Sequence, residues 1–257
     1  KEQNKIIRNM NKISKIFFFV LIFLNLVSCN KSKELKNNSF ELSGTISNST
    51  QPHLILSEVG KSGFTQNDTI PIDNKGKFSK NIEMTEPTLY SLALGEEYII
   101  ICPMVGEKIT IRATENNFAG SYNIEGSAES ELLKELNKEN YNVRLSLKSM
   151  SEELKQADSI KYDSIRANIL EKYISTKQYQ EKITTDFINN NPGSLTTLIA
   201  LYRTFDGIPL FDYRQSLEMH KKVLQALEQT LPENQHTLIL KNFIKEKEQT
   251  QTTNGNQ

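Results

Sequence analysis

The hydrophobic periodicity of the chain changes at Gly126-Ser127, and this change constrains the fold more than any other feature. Before it, short segments such as Phe40 to Ile46 alternate apolar and polar residues, and turn-forming residues separate them. Alternation with a period of two is typical of half-buried strands. We predict strands at about residues 40–46, 53–59, 68–72, 77–84, 88–94, 97–102, 108–112 and 122–125. Many short strands at this spacing predict an antiparallel β sandwich or barrel-like domain at residues 39–127.

After Ala128, apolar residues recur every three or four positions, which is typical of helices. We predict helices at about residues 129–156, 159–190, 194–205 and 213–230, and a last helix that Pro232 separates from the one before it and that ends at about Lys247. Asp212 and Gln215 resemble a capping box at the start of one of these helices. The sequence therefore predicts an α+β fold, in which an all-helical segment at 128–248 follows the β domain. Residues 249–257 are predicted to form a disordered polar tail.

The first 28 residues have the pattern of a secretory signal peptide. Basic residues from Lys12 to Lys15 precede an apolar run, Ile16 to Leu24, that is too short for a permanent membrane span. Leu26-Val27-Ser28-Cys29 resembles the bacterial lipobox, in which the cysteine sulfur takes a diacylglycerol and becomes the new N-terminus. We therefore predict a signal peptide at 1–28, lipidation of Cys29 and a flexible tether at 29–38. The alternative is an ordinary signal anchor with a chance cysteine.

A lipidated Cys29 would attach the protein to a lipid bilayer, and the residues after it favour one location. Asn30 is not the aspartate associated with retention in the inner membrane, and no acidic run follows that would direct export to the cell surface. The predicted location is therefore the cell envelope, at the periplasmic face of the outer membrane.

The charge balance excludes a basic binding surface as the main feature of the exported part. Five of the 31 basic residues but only one of the 31 acidic residues precede Cys29, so the remainder is net negative. Nucleic-acid binding needs clustered positive charge and is not predicted. With Cys29 lipidated, Cys102 has no disulfide partner, and its apolar surroundings indicate a small core residue. The chain has no Cys-x-x-Cys pair, so it cannot itself be a dithiol oxidoreductase.

No motif in the sequence carries recognisable catalytic or metal-binding chemistry. His53, His220 and His236 are far apart and lack acidic or cysteine neighbours at metal-ligand spacing. We interpret His220 as part of a solvated helix face, and the acidic pair Glu96-Glu97 as surface charge. No catalytic residue, metal or cofactor is predicted. Residues that are distant in the sequence can still assemble an active site, so the absence of motifs disfavours an enzyme but does not exclude one.

Three tripeptides resemble the Asp-Ser/Thr-aliphatic acceptor for O-glycosylation of exported proteins in some gut-type Gram-negative bacteria. They are Asp68-Thr69-Ile70, Asp158-Ser159-Ile160 and Asp163-Ser164-Ile165. The candidate acceptors are therefore Thr69, Ser159 and Ser164. The alternative for Ser159 is a helix N-cap.

The order of the strand and turn segments resembles one family. The segments are Phe40 to Ile46, Gly76-Lys77-Phe78-Ser79, Glu86 to Tyr90, Gly106 to Ile111 and Tyr122 to Ser127. Together they resemble the N-terminal domain of unknown function 4369 of exported lipoproteins in the same bacterial group. The resemblance implies a helical segment with a phrase like Phe187 to Ser194, then a thioredoxin-like domain of the thiol-disulfide reductase or peroxiredoxin type. The sequence stops where the thioredoxin-like domain would begin, so we expect either a stand-alone version of the family or a truncated product. The redox cysteines of that domain have no counterpart here, and the resemblance therefore implies no catalytic residue in this chain.

Three functions follow from these observations, in order of preference. The first is a non-catalytic accessory or scaffold module that serves a thioredoxin-like envelope protein, which an exposed apolar patch would support. The second is a lipoprotein that binds a small ligand or glycan, in a pocket lined by aromatics such as Tyr90, Tyr98 and Phe118. The third is an enzyme with a site assembled from distant residues, which requires clustered titratable groups in a cleft.

Overall fold

The computed structural model describes residues 38–60 and 63–254, with strands in the first half and long helices in the second. The predicted signal peptide, with the lipobox-like segment Leu26-Val27-Ser28-Cys29, lies outside these residues. The strands are β1 (Ser39–Ser47), β2 (His53–Gly60), β3 (Gly63–Pro71), β4 (Lys77–Glu83), β5 (Tyr90–Leu94), β6 (Glu97–Ile101), β7 (Lys108–Thr114), β8 (Asn123–Glu125), β9 (Thr204–Phe205) and β10 (Ile208–Pro209). The helices are α1 (Phe118–Ser121), α2 (Ala128–Lys155), α3 (Tyr162–Asn190), α4 (Thr197–Leu201), α5 (Tyr213–Thr230) and α6 (Gln235–Asn254).

Two four-stranded sheets pack face to face around one apolar core. The first sheet has the order β4-β1-β7-β8, and the second has the order β3-β2-β5-β6. The alternating residues Phe40, Leu42 and Ile46 of β1 are fully buried in this core. Across the two sheets, the ring centroids of Phe40 and Tyr90 lie 5.6 Å apart. The predicted fold class, an α+β protein with an N-terminal sandwich followed by helices, is confirmed.

The first sheet is mixed, whereas the sequence predicted an antiparallel one. β1 pairs antiparallel with β4 but parallel with β7, from Glu41 opposite Lys108 to Ser47 opposite Thr114. Parallel neighbours need a long connection, and here the chain forms the whole second sheet between them. Alternation along a strand carries no information about the direction of its partner, so the sequence pattern could not reveal this pair.

The second sheet has apolar side chains on both faces. Along β6, Ile99 and Ile101 face the sandwich core, whereas Ile100 and the following Cys102 belong to a second core with helical residues such as Leu133. A strand places successive side chains on opposite faces, so one uninterrupted apolar run serves both cores. The sheets and helices therefore form one compact unit within the described residues.

Several helix ends differ from the predicted ones. α3 begins at Tyr162 because the Asp158 carboxylate accepts the backbone N–H groups of Ile160 and Lys161 and forms a turn there. Ser159 is therefore not an N-cap. α6 continues to Asn254, through much of the predicted polar tail, because Gly255 is the first helix-breaking residue after Pro232.

The hairpin of α2 and α3 has a tip that the rest of the described chain leaves largely exposed. From Ser151 to Tyr179, no residue is buried. Ile160, Leu170 and Ile174 are large apolar side chains that are exposed there. We call this segment the hairpin tip. Among residues 38–60 and 63–254, no helix is both long and apolar enough to cross a membrane.

Candidate functional site

A cleft of about 560 Å³ lies between the outer face of the second sheet and the helices α2, α4 and α6. We call it the sheet–helix cleft. Its floor is apolar and its sides carry aromatic, amide and charged side chains. It is lined by Val59, Gly60, Phe64, Leu89, Tyr98, Ile100, Ala119, Asn137, Asn140, Tyr141, Arg144, Leu198, Ile199, Tyr202, Arg203, Thr204, His236, Ile239, Phe243 and Glu246.

Exposed aromatic rings form part of the cleft wall. Phe64 is 61% exposed, Tyr98 36% and Tyr202 48%. The rings of Phe64 and Tyr98 meet edge to face with 6.2 Å between their centroids, and the Arg144 guanidinium lies 5.6 Å from the Tyr98 centroid. Aromatic rings with a cation beside them present flat apolar surface to a ligand while keeping a polar edge in water.

Helix α2 is fastened along β6 by side-chain hydrogen bonds, which fixes one wall of the cleft. The Cys102 N–H donates to Ser130 Oγ at 3.0 Å, and Asn137 Nδ2 donates to the Ile100 carbonyl at 2.8 Å. Farther along, the Tyr141 hydroxyl donates to Glu97 Oε1 at 3.1 Å. Because β6 is an edge strand, these bonds also cover backbone that would otherwise be open to another chain.

Glu97 is a structural carboxylate, so its interpretation as surface charge is wrong. Besides the Tyr141 hydroxyl, it accepts the backbone N–H of Ala119 at 2.8 Å. Ala119 is in α1, a short helix that the sequence analysis did not predict. The Glu97 carboxylate therefore joins β6, α1 and α2 beside the cleft.

Arg203 is the most unusual residue of the cleft wall. It is only 7% exposed, and its Nη2 donates to the Leu136 carbonyl at 3.2 Å. Its Nη1 is buried without a hydrogen-bond partner, and no described carboxylate forms an ion pair with it. Burial lowers the pKa of Arg203 to about 10, an effect that Tyr98 partly opposes. The guanidinium stays protonated at neutral pH and carries a charge with no partner.

A tight hairpin holds Arg203 in place. Asp206-Gly207 connects β9 to β10, and Arg203 O accepts the Leu210 N–H at 2.8 Å. Asp206 and Gly207 have φ values of 52° and 78°, the left-handed conformation that a two-residue type I′ turn requires. Asp-Gly between extended residues is a known signal for this turn, and it could have been recognised from the sequence.

The histidines occupy different environments from the predicted ones. His220 is buried, and its Nδ1 donates to the Ser216 carbonyl at 2.8 Å, so its assignment to a solvated helix face is wrong. His236 lines the cleft, where its Nε2 lies 2.8 Å from Thr88 Oγ1. Burial lowers the pKa of both imidazoles, which therefore favours their neutral form at pH 7.

A second hollow, of about 580 Å³, adjoins the sheet–helix cleft. The two cavities share Tyr98, Asn140, Tyr141, Arg144 and Thr204 in their linings. The second one adds Glu96, Lys148 and Asp206, so it is the more polar of the two. Tyr98 and Arg144 therefore stand where an apolar cavity meets a polar one.

The aromatic residues named from the sequence do not all reach the cleft. Tyr98 lines it, but Tyr90 and Phe118 are buried in the sandwich core, so their place in a ligand pocket is wrong. Sequence analysis missed Arg144, Tyr202 and Arg203. One signal was present for Arg203, which directly follows the apolar run Leu198 to Tyr202 and is therefore a charge beside a buried helix.

The remaining candidate residues lie away from the cleft. Thr69 is exposed on β3, whereas Ser159 and Ser164 are exposed at the hairpin tip. Cys102 is a buried free cysteine, as predicted for a core residue. Within the described part of the chain, no three potential metal-ligand side chains lie close enough together to hold an ion. Glycosylation of the three hydroxyl residues stays a prediction.

Comparison with known families identifies the N-terminal part of the chain. Residues 40–133 match the family described as "Domain of unknown function (DUF4369)". The sandwich, together with the start of α2, is therefore a DUF4369 domain, and the predicted resemblance is confirmed for that region. No curated protein matches the sequence of the chain significantly. Lipid anchoring and an association with thioredoxin-like proteins stay predictions.

Replacement of Arg203 by methionine should stabilise the protein. Arg203→Met removes a buried charge that has one hydrogen bond and no counter-ion, while it keeps a long side chain in the same space. Apolar replacement of buried ionic groups is often stabilising, here by about 1–3 kcal/mol in the free energy of unfolding. Chemical denaturation of the empty protein measures this, with Arg144→Met on the exposed wall as the control. A destabilised Arg203→Met protein would contradict the argument.

Proposed function

We propose that this protein is a non-catalytic, lipid-anchored protein of the bacterial envelope that binds a small ligand in the sheet–helix cleft. One observation carries the proposal: a cleft of about 560 Å³ with an apolar floor and exposed aromatic side chains in its wall. Ligand pockets have volumes of about 300–1,000 Å³ and are mostly apolar, with a few polar groups that orient the ligand.

The aromatic residues of the wall favour ligand binding over a purely structural role. Phe64, Tyr98 and Tyr202 leave much of their ring surface in water, although adjoining residues such as Leu89 and Ile100 are buried. Each square ångström of apolar surface that a ligand covers contributes about 25 cal/mol. Large exposed apolar side chains beside a concavity therefore indicate a recognition surface.

The titratable groups of the cleft favour binding over catalysis. His236, the only described histidine in the lining, has its Nε2 next to Thr88 Oγ1, and burial favours its neutral form. Glu97, a carboxylate that adjoins the cleft, accepts two hydrogen bonds that hold the wall together. Neither group is arranged as a nucleophile with a neighbouring base, which acyl or phosphoryl transfer would need.

Filling the cleft should abolish the binding of an apolar probe. We expect wild-type protein to enhance the fluorescence of N-phenylnaphthylamine, which has no charge, and Ile239→Trp to weaken this binding at least about tenfold by occupying the cleft. Leu238→Trp is the matched control, because Leu238 is the exposed neighbour on α6 and does not line the cleft. Equal binding by the two variants would exclude the cleft as the binding site.

The lipid anchor can be tested through the two cysteines. Growth with an alkyne-labelled fatty acid should label wild-type protein and Cys102→Ala, but not Cys29→Ser. Cys102 is buried and burial raises the pKa of its thiol, so it should not react. Labelled protein should sediment with the outer membrane, and Cys29→Ser should be absent from that fraction. Labelling that persists in Cys29→Ser would rule out the proposed anchor.

A second candidate function is a docking module for a thioredoxin-like envelope protein, and the hairpin tip favours it. No residue there is buried between Ser151 and Tyr179, and Leu170 is 58% exposed. Exposed apolar residues on a helix pair commonly mark a protein interface. This function and the ligand cleft use different parts of the molecule, so both can operate in one protein.

In-cell crosslinking tests this second function. A photoreactive amino acid at Leu170 should capture a thioredoxin-like protein, whereas the same amino acid at Asn81, exposed on the first sheet, should not. Mass spectrometry of the crosslinked bands identifies the captured protein. Bands that are identical for the two positions, or that contain no thioredoxin-like protein, would argue against docking at the hairpin tip.

A further inference from the structure

The charge of Arg203 shows what kind of ligand the cleft is built to hold. Several other cations of the described chain have acidic partners, as in the pairs Arg112–Glu125 at 2.9 Å and Lys241–Glu228 at 2.8 Å. These pairs are exposed, where water would solvate the charges in any case. Arg203 is the reverse, because it is 7% exposed and bonds only to the Leu136 carbonyl. A buried charge without a partner is costly, and a ligand with the opposite charge removes that cost.

The geometry and charge of the wall favour a carboxylate over a phosphate. A guanidinium presents two parallel N–H donors that match the two oxygens of a carboxylate, and Nη1 of Arg203 is free to donate. One buried cation balances one negative charge. Together with Arg144 and Glu246, the other charged side chains of the lining, Arg203 gives the cleft one net positive charge, which a monocarboxylate balances and a phosphate dianion exceeds.

The rest of the cleft is complementary to a ligand whose remaining part is apolar and includes a flat ring system. Leu198, Ile199 and Ile239 supply aliphatic surface, and Phe243 and Tyr202 supply rings whose centroids lie 6.2 Å apart at an interplanar angle of 89°. Perpendicular rings leave one ring face open for stacking. Several polar side chains of the lining already bond within the wall, as Asn137 does to the Ile100 carbonyl, Tyr141 to Glu97 and His236 to Thr88. This disfavours a ligand covered with hydroxyl groups.

We propose that the sheet–helix cleft binds a small organic monocarboxylate with a flat apolar body, and that its carboxylate pairs with the Arg203 guanidinium. This rests on the proposed ligand-binding function and names the class of ligand. Arg144 lies at the exposed wall, where its positive charge attracts the anion before it enters. Because Nη1 is itself buried, a side chain of the cleft wall must turn aside for the carboxylate to reach it, and Tyr98 is an exposed side chain of that wall.

Three probes of matched shape test the charge of the ligand by isothermal titration calorimetry. They are naphthylacetate, naphthylethanol and naphthylethylamine, which carry a negative, a neutral and a positive group on the same ring system. A charge-assisted hydrogen bond contributes about 1.5–3 kcal/mol, so we expect the acid to bind at least about tenfold more tightly than the alcohol. The amine should bind most weakly. Arg203→Met should bring the acid-to-alcohol ratio close to one, and Arg112→Met on the first sheet should keep it.

The outcomes separate the ligand class from the proposed function. Equal binding of the acid and the alcohol overturns the class, and so does a preference for the acid that survives in Arg203→Met. If N-phenylnaphthylamine binds and none of the three probes does, the class is overturned and the ligand-binding function stands. If none of the four molecules binds, both the ligand class and the proposed ligand-binding function are overturned. Should Arg203→Met fail to fold, the wild-type ratio decides, because it needs no variant.

Discussion

The alignment of helix α2 with strand β6 is the constraint on which the rest of the structure depends. Bonds from Ser130, Asn137 and Tyr141 reach Cys102, Ile100 and Glu97 in turn. From Ser130 to Tyr141 a helix rises about 16 Å, and the strand covers about the same distance from Cys102 back to Glu97. The two elements therefore stay in register without strain. This closes the edge of the second sheet, directs the rest of α2 away from the sandwich and sets the width of the cleft.

The second sheet links the two halves of the protein because both of its faces are apolar. Its inner face completes the sandwich, and its outer face carries Ile100 and Cys102 into the helical core. A DUF4369 match that ends at Leu133 agrees with this arrangement, since it includes the first turns of α2 together with the strands. The cleft forms where this outer face is left only partly covered. The same sheet thus stabilises the fold and forms the floor of the cleft. The unpaired charge of Arg203 lowers the free energy of unfolding, and the packing of the two cores offsets this loss.

The fold was largely predictable from the sequence, whereas the site was not. The alternation of apolar and polar residues located all eight strands of the two large sheets, and apolar residues at every third or fourth position located the long helices. This works because an element that buries one face has apolar residues at the spacing of its own geometry. The parallel pairing of β1 with β7, the helix α1 and the buried state of His220 depend on long-range contacts that no local pattern encodes. The cleft draws its wall from β2, β3, β6, α2, α4 and α6, so its residues come together only after folding. Tyr98 was recognised as a pocket aromatic, but its contact with the Arg144 guanidinium was not predicted.

The uncovered hairpin tip has a consequence for how the protein responds to change. No side chain between Ser151 and Tyr179 is buried, and the main contact of this segment with the cleft side of the molecule is Tyr173, whose ring packs on Phe205 and whose hydroxyl donates to Asp206. The part of the segment around Asp158 contributes few of the contacts that hold the sandwich and the cleft together. It can unfold locally and refold while the body stays native, at a free-energy cost well below that of global unfolding. Substitutions, or an inserted peptide, in the turn around Asp158 should therefore leave the ligand site intact. The molecule can in this way acquire a new surface at one end while it keeps an unchanged cavity at the other.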